Sequence, residues 1–407
     1  MGTVNFVKNN IRWLFAGFLM FFISSFGQTM FISIFSGEIQ NTFNLTNGGW
    51  GGIYMLGTLS SAFVMLWVGG LTDTLRVRVL GSVTLSILAI SCILMYFVQS
   101  VYLLTFVIFA LRLSGQGMTT HIASVSMARW FVKTRGKAIS ISSLGYSLGE
   151  AALPVSFVGI IAVFGWRSSW LISSLITLIT IPLLILLLKK ERSPKNVSED
   201  YQSFGMGNRH WTRKDALRHP LFWLLLPSLV GHAAFATAFF FLHVHIADVR
   251  GWSHIQIVSL FPIFTGFSIS AMLISGAIID RVNTRLLMSF CMIPSAIGFL
   301  IFSLSENIMA ATIGIAFMAF SSGIVGTLSS AFWAEFYGTK HLGAIKALAT
   351  SSMVLGSAIG PGLVGFIIDL GVNFTTQMPW ISLYFILAAA SAYFGINLSR
   401  KTGSLFS

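Results

Sequence analysis

Residues 69–78 read GGLTDTLRVR, and residues 275–285 read SGAIIDRVNTR. Each is a short polar break after a long apolar run. Gly69, Asp73 and Arg78 of the first stand 207 residues before Gly276, Asp280 and Arg285 of the second. Three residue types recurring at one offset mark a chain made of two copies of one unit. The same spacing reappears further out. The stretch ARWFVKTRGKAI at 128–139 is answered by AEFYGTKHLGAI at 334–345, with Gly136 and Gly343 again 207 apart. GYSLGEAALP at 145–154 is answered by GSAIGPGLVG at 356–365, where Gly145 and Gly356 are 211 apart, so about one helical turn has been inserted.

What lies between these breaks is too apolar for a water-facing protein. The 407 residues are 55% hydrophobic and 9% charged, against roughly 25% charged in soluble domains. Twelve runs are long enough for a hydrocarbon core of about 30 Å. They lie near 12–34, 48–70, 79–98, 101–126, 137–161, 166–188, 220–247, 256–279, 286–303, 307–333, 342–368 and 378–397. The first is too long for a signal peptide and lacks a small-residue cleavage site, so it is expected to be a retained span. The expected fold class is an all-α membrane protein, with twelve transmembrane helices in two pseudo-symmetric six-helix halves. The halves are 1–190 and 220–407, joined by a charged linker at 191–219. Within it Thr212, followed by Asp215, is placed to cap a short helix leading into Pro220.

The net charge of +13 is explained by topology and not by a nucleic-acid surface. Of the 25 Lys and Arg residues, 22 fall at the N-terminus, in alternate loops and at the C-terminus, all on one side of the expected spans. The opposite side has only Arg167 and Arg250. Positive loops stay inside, so both termini are expected in the cytoplasm of a cell inner or plasma membrane. The eleven Trp residues fall near expected span ends, as interfacial aromatics do. Cys92 and Cys291 lie within spans, which disfavours a disulfide or metal site. No nucleotide loop, thiol cluster or HExxH is present, so neither an enzyme, a primary pump nor a cofactor is expected.

The pattern Gly-x-Leu-x-Asp-x4-Arg at 69–78, with its counterpart at 276–285, resembles the loop motif of the major facilitator superfamily. That resemblance covers essentially the whole chain and implies a secondary carrier that rocks one half against the other. Where that family usually has Gly three residues after the Asp, this chain has Arg76 and Asn283. The resemblance implies that Asp73, Arg78, Asp280 and Arg285 are gating residues at the inner side. A narrower resemblance lies in WFVKTRGKAISISSLG at 130–145, similar to the monocarboxylate-porter signature through Phe131, Lys133, Arg135, Ala138 and Gly145. Residues 219–246 resemble the start of the second half in bacterial relatives of those porters and in oxalate/formate exchangers. The animal porters have an Asp and an Arg four apart in the eighth span; FSISAMLISGA at 267–277 has neither. Drug exporters of the superfamily carry G-x-x-x-G-P in the fifth span, and here Glu150 replaces that Pro.

A cationic anchor for an anion must therefore come from elsewhere, and few ionisable groups sit at depth. A charge at a helix centre costs roughly 2.5–3.5 kcal/mol on insertion scales. Arg112 lies about twelve residues into the fourth span, and Glu150 about thirteen into the fifth, which runs the other way. The two are expected to face each other or a shared cavity. They form either a static ion pair or an anion anchor, Arg112, with a titratable partner. At 100° per residue Gln116 and Thr119 share the Arg112 face, while His121 points away. His232 and His243, eleven apart, share a face of the seventh span with Phe239 between them, and His245 turns off it.

These readings converge on a secondary active transporter that takes up a small organic anion together with a proton. The resemblance to the porters makes a monocarboxylate the expected cargo. Arg112, Gln116, Phe235 and Phe239 are the expected substrate contacts, and Glu150, His232 and His243 the proton-linked groups. The lipid bilayer is the expected surrounding, with no nucleic-acid partner and a monomer as the default state. Two alternatives remain open: an exporter of drugs or carrier of neutral solutes, with Arg112 and Glu150 as a coupling pair, and a sensor or scaffold without turnover.

Overall fold

Apolar runs in hydrocarbon must satisfy every backbone polar group internally, and a helix does this within one segment. In the computed structural model every regular element is helical among the described residues. These are residues 3–131, 134–190, 204–279, 284–338 and 341–403. The long helices are α1 (Thr3–Ser24), α2 (Asn47–Val68), α3 (Val77–Phe97), α4 (Val101–Trp130) and α5 (Arg135–Leu187). After the linker come α6 (Pro220–Phe241), α7 (Leu260–Ile279), α8 (Thr284–Leu304), α9 (Ile308–Tyr337), α10 (Leu342–Asp369) and α11 (Phe374–Gly403).

Among the described residues, eleven helical runs are long and apolar enough to cross a membrane. One of them, α5, has 53 residues and is interrupted at Gly165, whose φ of 77° is left-handed. A residue with a Cβ is strained there, and the run on either side is long enough to cross once. It therefore covers the expected fifth and sixth spans, which accounts for twelve. An even number of crossings returns both termini to one side.

The described chain forms two compact units: residues 1–198 with 240–244, and residues 199–239 with 245–407. In the first, α1 lies against the early half of α5, and the contact is made by backbone. A Cβ on Gly145 would stand 2.1 Å from the carbonyl oxygen of Phe18, and one on Gly149 would stand 2.0 Å from Ser25 Oγ. In the second unit, Gly356 and Gly360 of α10 bring that helix onto α6 in the same way, their Cβ positions falling 2.5 Å from Val230 O and 2.2 Å from Ala234 O. Small residues four apart let helices approach closely where no hydrophobic effect drives them together. The 211-residue repeat is thus a repeat of helix contacts.

Two arginines of the first unit close helix ends. The last carbonyls of a helix have no partner in the helix itself. Arg12 donates to the carbonyls of Leu187 and Leu186 at the end of α5. Arg167 donates to those of Tyr96 and Val98 at the end of α3, at 3.1 and 2.6 Å. In the linker, Thr212 and Asp215 form a capping box on the short helix Arg213–Arg218. The hydrogen bonds from Thr212 hold the Asp215 carboxyl below its usual range. Cys92 and Cys291 are buried and free.

Candidate functional site

The first apolar segment is not one helix. It breaks after Ser24 into a tight turn, Ser25–Gly27, an extended residue, Gln28 (ψ 154°), and the short helix Thr29–Ile32. The sequence there, SSFGQT, is small and polar within an apolar run. Irregular backbone at such depth is tolerated only where protein or water satisfies it.

Arg112 does so. It is only 1% exposed, and its Nη1 donates to the carbonyl of Gly27 at 3.1 Å and to Thr29 Oγ1 at 3.3 Å. Thr29 Oγ1 in turn lies 2.5 Å from the hydroxyl of Tyr54, whose ring centroid is 5.1 Å from the guanidinium carbon. The break reaches Arg112 because Gly27 and Gly115 meet backbone to backbone. A Cβ on Gly115 would lie 2.6 Å from the Cα of Gly27.

Arg112 also opens a widened, π-helical stretch, Arg112–Thr119. There Thr119 Oγ1 donates to the carbonyl of Ser114, five residues back. Such turns advance roughly 80° per residue instead of 100°. Over the seven residues from Arg112 to Thr119 the difference accumulates to about 140°. Thr119 is therefore carried off the Arg112 face and is fully buried. Gln116 is half-buried, and its backbone carbonyl accepts from Thr120 Oγ1.

Glu150 is half-buried on α5, one turn beyond Tyr146. Glu150 and Arg112 form no ion pair in this structure. The guanidinium of Arg112 lies over the ring of Tyr54 instead. Three buried polar atoms nearby in the chain lack partners: Arg112 Nε, Ser25 Oγ at the helix break, and Thr58 Oγ1, one turn along the Tyr54 face of α2. Sequence reasoning did not single out Thr29 or Tyr54. The only available signal was that polar residues are rare in these runs.

Of the other expected site residues, His232, Phe235 and Phe239 belong to the second unit. His232, 9% exposed, has Nε2 3.4 Å from Ser322 Oγ. Phe235 packs edge-on to Tyr384 and Phe385. Phe239 is fully buried with its ring edges on Phe299 and Phe302, in the aromatic core of the second unit. His243 is buried, its Nδ1 2.8 Å from the carbonyl of Phe240. Helix α6 ends at Phe241 and a new helix starts at His243. The helical count that aligned His232 with His243 does not carry across that interruption.

Of the expected gating residues, Asp280 and the side chain of Asp73 lie outside the described residues. Arg78 is half-buried at the start of α3. Arg285 pairs with Glu335 of α9 at 3.5 Å, and Glu335 also accepts from Thr284 Oγ1. In the first half the corresponding loop is tied to α4: His121 Nε2 lies 3.2 Å from the carbonyl of Gly69, and Arg129 donates to that of Thr72 at 2.9 Å. Each repeat thus fastens its loop to the end of the helix two spans further on. Among the described residues, no cluster of three His, Cys, Asp or Glu could hold a metal.

The profile of the Major Facilitator Superfamily matches residues 17–361 and 271–402. The chain belongs to this superfamily. Its members are carriers that move small solutes across membranes. Among solved structures, a bacterial homolog of the human lysosomal transporter Spinster, inward-facing and unoccupied, is similar. It has a TM-score of 0.67 and 16% identity, over 97% of this chain and 95% of that one. The nucleoside transporter NupG, solved as a mutant, is also similar, with a TM-score of 0.71 and 12% identity, over 96% and 99%. At such identities the likeness concerns the fold. No curated protein sequence matches the chain.

Proposed function

We propose that this superfamily member carries a small organic anion, a monocarboxylate, in company with a proton. In this reading residues 1–190 and 220–407 alternate access to Arg112, with 191–219 as their link. The carrier works as a monomer in a cell inner or plasma membrane. The observation that carries the reading is the state of Arg112. A permanent cation is fully buried with no carboxylate paired to it, and its Nη1 holds the protein's hydrogen bonds. A buried charge without a counter-charge is costly. Arg112 Nε has no hydrogen-bond partner, and a guanidinium edge that includes it fits a carboxylate bidentately. The resemblance of 130–145 to the monocarboxylate-porter signature points to the same cargo.

One observation favours the rival reading, a carrier of neutral solutes or an exporter. The Nη1 bonds of Arg112 hold the break after α1, and a static clamp would need nothing more. Purified protein in proteoliposomes separates the two. Under an inward proton gradient, radiolabelled short-chain monocarboxylates are expected to accumulate, and a protonophore to collapse that accumulation. Transport of neutral solutes with no movement of any acid would replace this reading with the rival. Binding of acids without counterflow would indicate a sensor.

A further inference from the structure

The aromatic run Phe239–Phe241 divides where the seventh span breaks. Phe239 stays with Phe299 and Phe302 in the second unit, whereas residues 240–244 group with the first. There the ring of Phe241 stacks on Trp50, 5.3 Å between centroids, and leans on Tyr54 at 4.5 Å. Three residues on, Val244 Cγ1 lies 3.4 Å from where a Cβ on Gly37 would stand. At His245 the chain rejoins the second unit, and its Nε2 accepts the N–H of Phe374 at the start of α11. Trp50, Tyr54 and Thr58 follow one another down one face of α2, and the placement of Lys and Arg puts the Trp50 end outside. Phe241 therefore meets Tyr54 from the outer side. The far neighbour of the Tyr54 ring is Arg112, whose guanidinium carbon is 5.1 Å from its centroid. Phe241, Trp50 and Tyr54 are all fully buried.

Resting on the carrier reading above, we propose that residues 240–244 are a lid on the outer side of the Arg112 site, latched by Phe241 on Trp50 and Tyr54 and hinged at Leu242. The latch is built to open. The indole N–H of Trp50 donates to Ser36 Oγ at 2.9 Å, and the Tyr54 hydroxyl lies 2.5 Å from Thr29 Oγ1. Both polar groups keep those partners when Phe241 leaves. Releasing the ring therefore costs ring contacts and no hydrogen bond of Trp50 or Tyr54. Ring pairs are individually modest, which suits a contact made and broken in every cycle. The interruption after Phe241 confines the movement. A continuous helix would carry Phe239 along, and Phe239 is fully buried in the aromatic core of the second unit. One ring, Tyr54, touches both the latch and Arg112. A solute bulky enough to displace that ring displaces the seat of Phe241 as well, so the lid closes only over a small anion.

Two measurements test the lid. Gly37→Cys combined with Val244→Cys is placed for a disulfide. Under mild oxidation the pair is expected to cross-link and to stop counterflow of labelled monocarboxylate in proteoliposomes, and a reductant to restore it. The second measurement needs no solute. Thr58 is buried one turn inside Tyr54, and the native Cys92 and Cys291 are buried too. A membrane-impermeant maleimide added outside intact cells is expected to modify Thr58→Cys slowly. Phe241→Ala removes both ring pairs and is expected to raise that rate about tenfold or more. Phe241→Leu keeps bulk without a ring; it is expected to move the rate the same way and decides the matter if Phe241→Ala does not fold. A pair that fails to cross-link, an oxidised pair that still exchanges acid, or a labelling rate unchanged by both Phe241 variants would overturn the lid and leave the carrier reading intact. A wild type that moves no acid, with labelling that still follows Phe241, would remove the acid cargo and leave the lid.

Discussion

Arg112→Gln is expected to abolish proton-driven uptake of monocarboxylates while leaving a monodisperse, folded protein. Truncating one partner of a buried, hydrogen-bonded charge pair costs about 2–5 kcal/mol, which at about 1.4 kcal/mol per decade is a loss of at least some thirtyfold. Arg112→Lys is expected to fail nearly as badly. In this reading the arginine fork has two tasks: Nη1 reaches Gly27 O and Thr29 Oγ1, and Nε, which has no partner in the protein, is left for the anion. A lysine ammonium is a point charge with no second edge. If it bonds the broken turn it presents nothing planar to a carboxylate, and if it turns to the anion the carbonyl of Gly27 loses its donor. A static clamp predicts the opposite order, with Lys tolerated and Gln lowering thermal stability more than uptake. Initial rates and melting temperatures of the two variants, measured on the same preparations, separate these outcomes. Full acid uptake by folded Arg112→Gln would end the anchor reading.

How far the sequence can be read is clear from the same residues. The fold was legible because its signals are long and redundant: apolar runs, the placement of Lys and Arg, and a loop motif repeated 207 residues on. Arg112 and Glu150 stood out because charge is rare in such runs. Their surroundings were not legible, since both local departures break the helical count that sequence reasoning relies on. The turn at Ser25–Gly27 ends α1 early, and the widened stretch Arg112–Thr119 rotates Thr119 away from Arg112. Small polar residues marked both places, but Ser, Thr and Gly in a span equally well signal close packing. Thr29 and Tyr54 are neutral, and only the three-dimensional contacts show that they answer to Arg112. The interruption at Leu242 likewise undoes an alignment of His232 and His243 that assumed one continuous helix.

The glycine contacts lead to the second large effect, on stability. A single added methyl at Gly145 would stand 2.1 Å from the carbonyl oxygen of Phe18, and at Gly360 2.2 Å from that of Ala234. Neither neighbour can rotate away, because each is backbone of the facing helix. The helices must separate by about an ångström, giving up packing along their length, and overpacking of this kind costs roughly 1–3 kcal/mol or more. At Gly149 the nearest atom is Ser25 Oγ, at 2.0 Å, and a hydroxyl can turn to another rotamer. At Gly52 and Gly159 no heavy atom lies within 4 Å. Replacement by Ala there is expected to be neutral or mildly stabilising, since Ala is the better helix former. Alanine variants in detergent should therefore lose melting temperature in a fixed order: Gly145 and Gly360 most, Gly356 next, Gly149 less, and Gly52 and Gly159 not at all. Equal losses at Gly145 and Gly149 would mean that contact distance alone governs the cost. A tolerated Gly145→Ala would mean that α1 and α5 do not lie backbone to backbone. The helix contact that places Glu150 would then have to be sought elsewhere, so this stability series bears directly on the candidate site.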